Sequence, residues 1–224
     1  FPLDIFLVRD DDIPAFLATD VCQLGILGQN VLLEKQAQSN GMFSSLEQRL
    51  PIGHGKCRLS IAVPHDFTYN SIASLNGKVI ATSYKGLLGQ YLASKNISAD
   101  IVTMEGAVEV APRTHLADVI CDLVSTGSTL SSNGLVEKDV VMQSQAVLVT
   151  NQISDPEIAA IADKITSRLQ AVLRAENSRY IMLNSPTKSL DAIKAVLPGS
   201  QSPTVMPLQG CDDMVAVHAV CEEG

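Results

Sequence analysis

The sequence predicts an α/β fold of two facing lobes with a cleft between them, followed by a smaller βαββ unit. Three observations predict it. The first is an internal echo: Asp20 to Leu33 (DVCQLGILGQNVLL) and Ala117 to Leu130 (ADVICDLVSTGSTL) both read as a helix end, a short apolar strand, a glycine loop and a new apolar run. The second is a pair of connections able to carry the chain between lobes, one entering at Cys57 to Val63 and one returning through Val136 to Val149. The third is the order strand, helix, strand, strand after residue 178. On this reading residues 1–56 and 135–176 form the first lobe, 57–134 the second, and 178–224 the appended unit.

Taken in order, Leu3 to Val8 (LDIFLV) is a short apolar run and reads as a buried strand. Arg9-Asp10-Asp11-Asp12 follows, and acidic residues before Ile13-Pro14 mark a helix start, since Pro is suited to the first turn. Arg9 is a fixed cation at a strand end; it either meets a phosphate or pairs with a neighbouring Asp. Gly25 and Gly28 either let backbone approach a ligand or serve close packing at a strand end. Gln36 to Gly55 is polar and turn-rich, with a weak strand at Ser45 to Leu50, and reads as a hinge. Lys56 and Arg58 open the next strand, Cys57 to Val63, where they can help an anion site.

Ser74 to Gly77 is a turn, Lys78 to Ser83 a strand, Gly86 to Lys95 a helix and Ile97 to Met104 a strand. Glu109 is an acid within an apolar stretch, which needs a partner if buried. Pro112 precedes a helix leading to the strand Cys121 to Val124. After the turn at Asn133-Gly134, Val136 to Val149 reads as two strands returning to the first lobe. Asp155-Pro156 then starts the clearest helix, with Ile158, Ile161, Ile165, Leu169 and Val172 at helical spacing as a core stripe. Tyr180 to Leu183, Leu190 to Val196, Thr204 to Leu208 and Met214 to Val220 supply the βαββ order.

The loop Ser125-Thr126-Gly127-Ser128-Thr129 carries the chemistry. A glycine lets the backbone come close to a ligand, successive N–H groups converge on an anion, and the hydroxyls add donors. Asp122 at the strand mouth suits ribose hydroxyls or a magnesium ion. The alternative is an ordinary Ser/Thr/Gly turn between strand and helix.

At these residues the chain resembles a known family. Glu109-Val-Ala-Pro-Arg-Thr-His-Leu-Ala-Asp-Val-Ile-Cys-Asp-Leu-Val-Ser-Thr-Gly-Ser-Thr-Leu130 is similar to the signature of ATP phosphoribosyltransferase, in its long form. Val8-Arg-Asp-Asp-Asp-Ile-Pro14, Leu24-Gly-Ile-Leu-Gly28, Ser74-Leu-Asn-Gly-Lys78 and Ala81-Thr-Ser-Tyr84 resemble it too, in the same order. The resemblance implies periplasmic-binding-protein-like lobes, a ferredoxin-like (ACT-like) regulatory domain that is only partly present, and transfer of a phosphoribosyl group from PRPP to N1 of ATP. It implies Ser125–Thr129 as the PRPP phosphate loop, Asp122 and Glu109 on ribose hydroxyls, and Arg9 and Lys56 on pyrophosphate or triphosphate. It further implies Mg2+ as the metal, with Asp122 as its contact, and histidine as feedback inhibitor. A homo-oligomer is implied, hexameric in the long form. Against the family the chain looks cropped at both ends. It departs from the signature at His115, where the family has Gly, and at Gln23, where the family often has Asp.

The chain of 224 residues is 46% hydrophobic but only 4% aromatic, so its core must be aliphatic. A net charge of −8 argues against nucleic acid or an anionic membrane as partner, though not against a local anion site. No apolar run approaches the ~20 residues of a membrane span. Cys22, Cys57, Cys121, Cys211 and Cys221 are scattered without metal-like spacing and read as cytosolic thiols, giving a cytoplasmic expectation. The competing function is a two-lobed small-anion-binding module without catalysis, which turnover would separate from the enzyme.

Overall fold

The computed structural model describes residues 3–39, 41–176, 178–197 and 202–222. Two compact units divide the chain, residues 1–162 and 163–224. Within the first unit, a three-stranded sheet of order β1-β8-β2 is built from β1 (Leu24–Gly28), β2 (Glu47–Pro51) and β8 (Ala146–Thr150). A five-stranded sheet of order β5-β4-β6-β3-β7 holds β3 (Cys57–Pro64), β4 (Val79–Thr82), β5 (Asp100–Thr103), β6 (Val119–Val124) and β7 (Leu135–Ser144). These two sheets are the two lobes. The chain crosses between them twice, after β2 and between β7 and β8.

The strand period of two sorts the second lobe's core. Leu59, Ile61, Val63, Val119 and Cys121 face α3 (Lys85–Ser94) and pack against its Leu88 and Leu92. Ala62, Ile120 and Val124 face the other way, with Leu130 of α4 (Ser128–Ser132). In the first lobe α1 (Ile13–Ala18) and α2 (Gln29–Gln38) cover the sheet through Leu17, Leu27, Val31, Leu32, Val147 and Val149. As the composition requires, these cores are aliphatic.

The second unit contains the antiparallel sheet β10-β11-β9, from β9 (Ser178–Pro186), β10 (Thr204–Leu208) and β11 (Cys211–Glu222), with α6 (Leu190–Val196) between β9 and β10. This is the expected βαββ order. Residues 198–201 and 223–224 of the expected 178–224 unit lie outside the described residues. Among the described residues no helix is long and apolar enough to cross a membrane.

Four expectations are corrected. Leu3 to Val8 forms no strand and Leu7 is 96% exposed. An apolar run becomes a strand only where another strand offers its hydrogen-bonding edge, and neither lobe's sheet includes this one. The helix expected after Pro112 is two short 3-10 turns, Val108–Val110 and Pro112–Thr114. Left-handed residues at Ala107 (φ +52°) and His115 (φ +59°) bracket them, so no α-helix can propagate. Of the two strands expected to return to the first lobe, only β8 does so. The strand β7 pairs with β3 from Cys57↔Ser144 to Pro64↔Leu135, which puts residues 135–144 in the second lobe's sheet. The stripe on α5 (Pro156–Glu176) is not a continuous core. Only Ala162 is buried, and Val172 is 55% exposed. That helix is divided between the two compact units, so no single core runs its length.

Candidate functional site

The parallel register Thr82↔Cys121 sends β4 and β6 out of the same edge of the five-stranded sheet. The loop after β6 and the start of α3 therefore emerge side by side. In the loop, Ser125, Thr126, Ser128 and Thr129 are exposed and Gly127 is half-buried. Gly127 takes φ +81° and ψ 0°, a left-handed conformation that L side chains resist. It is the N-cap of α4 and has no side chain to cap the helix start. A helix start leaves its first N–H groups without intrahelical partners, and here Ser128 N–H donates to Thr126 Oγ1 at 3.4 Å. Thr126 Oγ1 and Ser128 Oγ stand 3.0 Å apart.

Asp122 lies half-buried on β6 just before the loop, its Oδ1 accepting the Leu123 N–H at 2.8 Å. Burial raises its pKa above the ordinary Asp value; the Leu123 N–H opposes this and the Glu109 carboxylate adds to it. Asp122 and Glu109 therefore sense one another, although Glu109 sits in a separate 3-10 turn.

The corner is braced from beneath. Arg58 on β3 forks onto Glu137 on β7, Nε to Oε1 at 2.5 Å and Nη2 to Oε2 at 2.6 Å. Its Nη1 donates to the Ser125 carbonyl at 3.2 Å. Ser60 Oγ completes the set by donating to Glu137 Oε1 at 2.8 Å. The Glu137 carboxyl is held below its usual range, chiefly by the Arg58 hydrogen bond. Arg58 is consequently a scaffold for the loop, with its charge already matched.

Arg9 is exposed at the head of the 3-10 turn Asp10–Asp12, with no strand before it. Lys56 is exposed two residues before Arg58; since Arg58 pairs with Val124, Lys56 extends past the sheet edge on the loop's side. Gly25 is accounted for by packing, because a Cβ there would overlap Ile13 Cγ2. Gly28 is the N-cap of α2, where a Cβ would lie 2.5 Å from Asn30 Oδ1. Gln23 turns its amide to the Asp20 carbonyl at 3.3 Å.

His115 stands at the opposite end of β6 from the loop, beyond a strand of six residues, or roughly 20 Å. The departure from the signature therefore leaves the loop's approach untouched. A left-handed residue with a Cβ costs about 1–2 kcal/mol, of which Gly's greater unfolded freedom returns part. His115→Gly is expected to raise stability by up to about 1 kcal/mol, or roughly 2–4 °C in Tm. The thermal response to ligand stays unchanged; a lower Tm would contradict this account.

Three groups escaped sequence reasoning. Tyr84, at the N-cap of α3, is pushed up to about 12, first by burial and then by Asp122, Asp11 and Asp10, so it stays protonated at neutral pH. Its position just after a strand, two residues before Gly86, was the available signal. Glu137 gave none, since it reads as one polar residue of an alternating strand. Glu34 likewise reads as a solvated helix residue but is 6% exposed. Cys121 is a buried thiol whose pKa is driven far up by desolvation, which excludes it as a nucleophile. Among the described residues no group of three or more His, Cys, Asp or Glu side chains is arranged to hold a metal ion.

Known proteins match this architecture along its length. The family described as HisG, ATP phosphoribosyltransferase, matches residues 9–171, and that described as HisG, C-terminal domain, matches residues 175–224. An ATP phosphoribosyltransferase of Maricaulis maris (strain MCS10) is 47% identical over 223 residues, covering 99% of this chain and 76% of the relative. A chain of the ATP phosphoribosyl transferase (HisG:HisZ) complex from Thermotoga maritima superposes with a TM-score of 0.63 at 30% identity, covering 75% of this chain and 78% of that one. The periplasmic aliphatic sulphonate binding protein SsuA from Escherichia coli superposes with a TM-score of 0.51 at 15% identity, over 75% of this chain and 61% of its own. That likeness is one of fold, and it places the two lobes in the periplasmic-binding-protein-like class. With family matches spanning both compact units and near-complete coverage by a relative of that name, the chain belongs to the ATP phosphoribosyltransferase family and is a transferase.

Proposed function

We propose that the chain transfers the phosphoribosyl group of PRPP to N1 of ATP with release of pyrophosphate, as the first step of histidine biosynthesis in the cytoplasm. The observation that carries this reading is the corner at Gly127: a left-handed glycine at a helix start, with exposed hydroxyls, just after the half-buried Asp122. The loop holds the ribose 5-phosphate through backbone N–H groups and the hydroxyls of Ser128 and Thr129. Asp122 and Glu109 hold ribose hydroxyls. The N1 lone pair attacks C1, the bond from C1 to the pyrophosphate oxygen breaks, and its electron pair leaves on pyrophosphate. C1 is cationic at the transition state, so positioning and nearby carboxylates do the catalytic work, with no protein nucleophile.

The Asp122 and Glu109 carboxylates are too few for a resident magnesium cage, but they suit a magnesium ion that arrives on the substrate's phosphates. Such an ion would neutralise the leaving pyrophosphate, with Asp122 as its protein contact. Arg9 and Lys56, both exposed, are assigned to pyrophosphate or triphosphate. The second unit is assigned to inhibition by histidine and, as part of a homo-oligomer, to a hexamer. Pyrophosphate release tests the reading. It is expected only when ATP and PRPP are both present with magnesium, and release from PRPP alone, or none with both, would overturn it.

A further inference from the structure

Asn30 and Glu34 lie one turn apart on the same face of α2, in the first lobe, and both reach the second. Glu34 accepts the backbone N–H of Gly86 at 2.7 Å and of Leu87 at 2.8 Å, in the first turn of α3. It also accepts from Gln38 Nε2. Asn30 is 5% exposed, and its Nδ2 donates to the Tyr84 hydroxyl oxygen at 2.9 Å. Ser144, the last residue of β7, donates its hydroxyl to Asn30 Oδ1 at 2.8 Å and accepts the Asn30 N–H at 3.1 Å. The helices are in close contact here, for a Cβ on Gly86 would lie 2.8 Å from Ala37 Cβ and 3.3 Å from Glu34 Oε1. A buried carboxylate persists only when its oxygens are matched by donors. Two of these donors belong to the other lobe, so pulling the lobes apart at this point strands the carboxylate and uncaps α3 together.

We propose that Asn30 and Glu34 form a clasp across the two lobes, with Glu34 as a positioning residue that sets the gap between α2 and the sheet edge carrying the Ser125–Thr129 loop. The clasp stands on the contacts alone. Its consequence for turnover rests on the phosphoribosyl-transfer reading, in which a phosphoribosyl donor held on the second lobe must meet an acceptor across the gap.

The test uses the whole chain in three forms besides the parent: Glu34→Gln, Gly86→Ala, and Gly86→Ala combined with Ala37→Gly. Amide hydrogen exchange at Gly86 and Leu87 is read first, then kcat, KM and the thermal shift with magnesium-PRPP. In Glu34→Gln, exchange at these two amides is expected to quicken about tenfold or more while the β3 amides stay protected. The kcat is expected to fall about tenfold or more, with KM for PRPP and the PRPP thermal shift retained. Gly86→Ala wedges the same helices apart and reproduces the loss; Ala37→Gly removes the facing methyl and restores most of the kcat. Unchanged exchange at Gly86 and Leu87 overturns the clasp. Faster exchange with unchanged kcat, or a fall in kcat and PRPP affinity together, overturns the positioning role. If the parent does not turn over ATP and PRPP, the transfer reading fails and the positioning role with it, while exchange still decides the clasp.

Discussion

Gly127→Val is expected to abolish the rise in Tm that magnesium-PRPP should give the parent protein. At a hundred times its Kd, a ligand bound only to the folded state stabilises by about 2.7 kcal/mol, worth roughly 5–10 °C in a unit of this size. The backbone at Gly127 is at φ +81°. A β-branched residue there is a steric outlier rather than a mild misfit. The loop must abandon the left-handed corner, and with it the placement of the N–H groups at the start of α4. An added Cβ meets no clash, its nearest neighbour being Val124 Cγ1 at 3.9 Å. The effect is therefore first on loop conformation, and the unliganded protein should lose about 1–2 kcal/mol of stability, or roughly 2–8 °C in Tm. A Gly127→Val protein that keeps the parent's PRPP shift would remove the loop from the site.

Asp122→Asn gives two signals of opposite sign. Burial raises the Asp122 pKa in the folded state, with Glu109 adding to it. For a carboxyl raised on folding, the folded state binds more protons than the unfolded one between the two pKa values. Stability is then full below the unfolded pKa and is lost as pH rises through the folded one. At neutral pH the buried charge is thus a burden, and Asn relieves it, so the unliganded Tm of Asp122→Asn should exceed the parent's. The advantage should vanish below the unfolded Asp pKa. Asn also keeps an oxygen able to accept the Leu123 N–H. Binding moves the other way: a hydrogen bond to a charged group is worth about 1.5–3 kcal/mol, so PRPP affinity should drop roughly 10–100-fold. Thermal melts from pH 4 to 8, with and without magnesium-PRPP, read both. A variant less stable at pH 7 than the parent, or one with unchanged PRPP affinity, would contradict the role given to Asp122.

What was legible in the sequence is what short-range physics writes there. Glycine and hydroxyl residues after an apolar run marked the ends of β1 and β6, and Asp155-Pro156 marked the start of α5. What was not legible depends on partners distant in sequence. Leu3 to Val8 has a strand's composition, yet Leu7 stands 96% exposed because pairing needs a neighbour's edge. The turns before β6 depend on left-handed residues at Ala107 and His115, which neither residue type announces. Arg58 read as a cation able to help an anion site. Its partner Glu137 lies 79 residues away and on a strand whose sheet was misplaced from sequence. Glu34 shows the same limit, because a glutamate in a helix reads as solvated until the other lobe's amides are seen against it.

In the proposed reaction the Ser125–Thr129 corner receives the 5-phosphate of PRPP. Amide hydrogen exchange across the chain, with and without saturating magnesium-PRPP, tests it most directly. The account predicts new protection at Ser125 to Leu130, and the same protection, more weakly, with ribose 5-phosphate. Exchange unchanged in that loop, with protection appearing instead around His65 and His115 at the far end of β6, would contradict it.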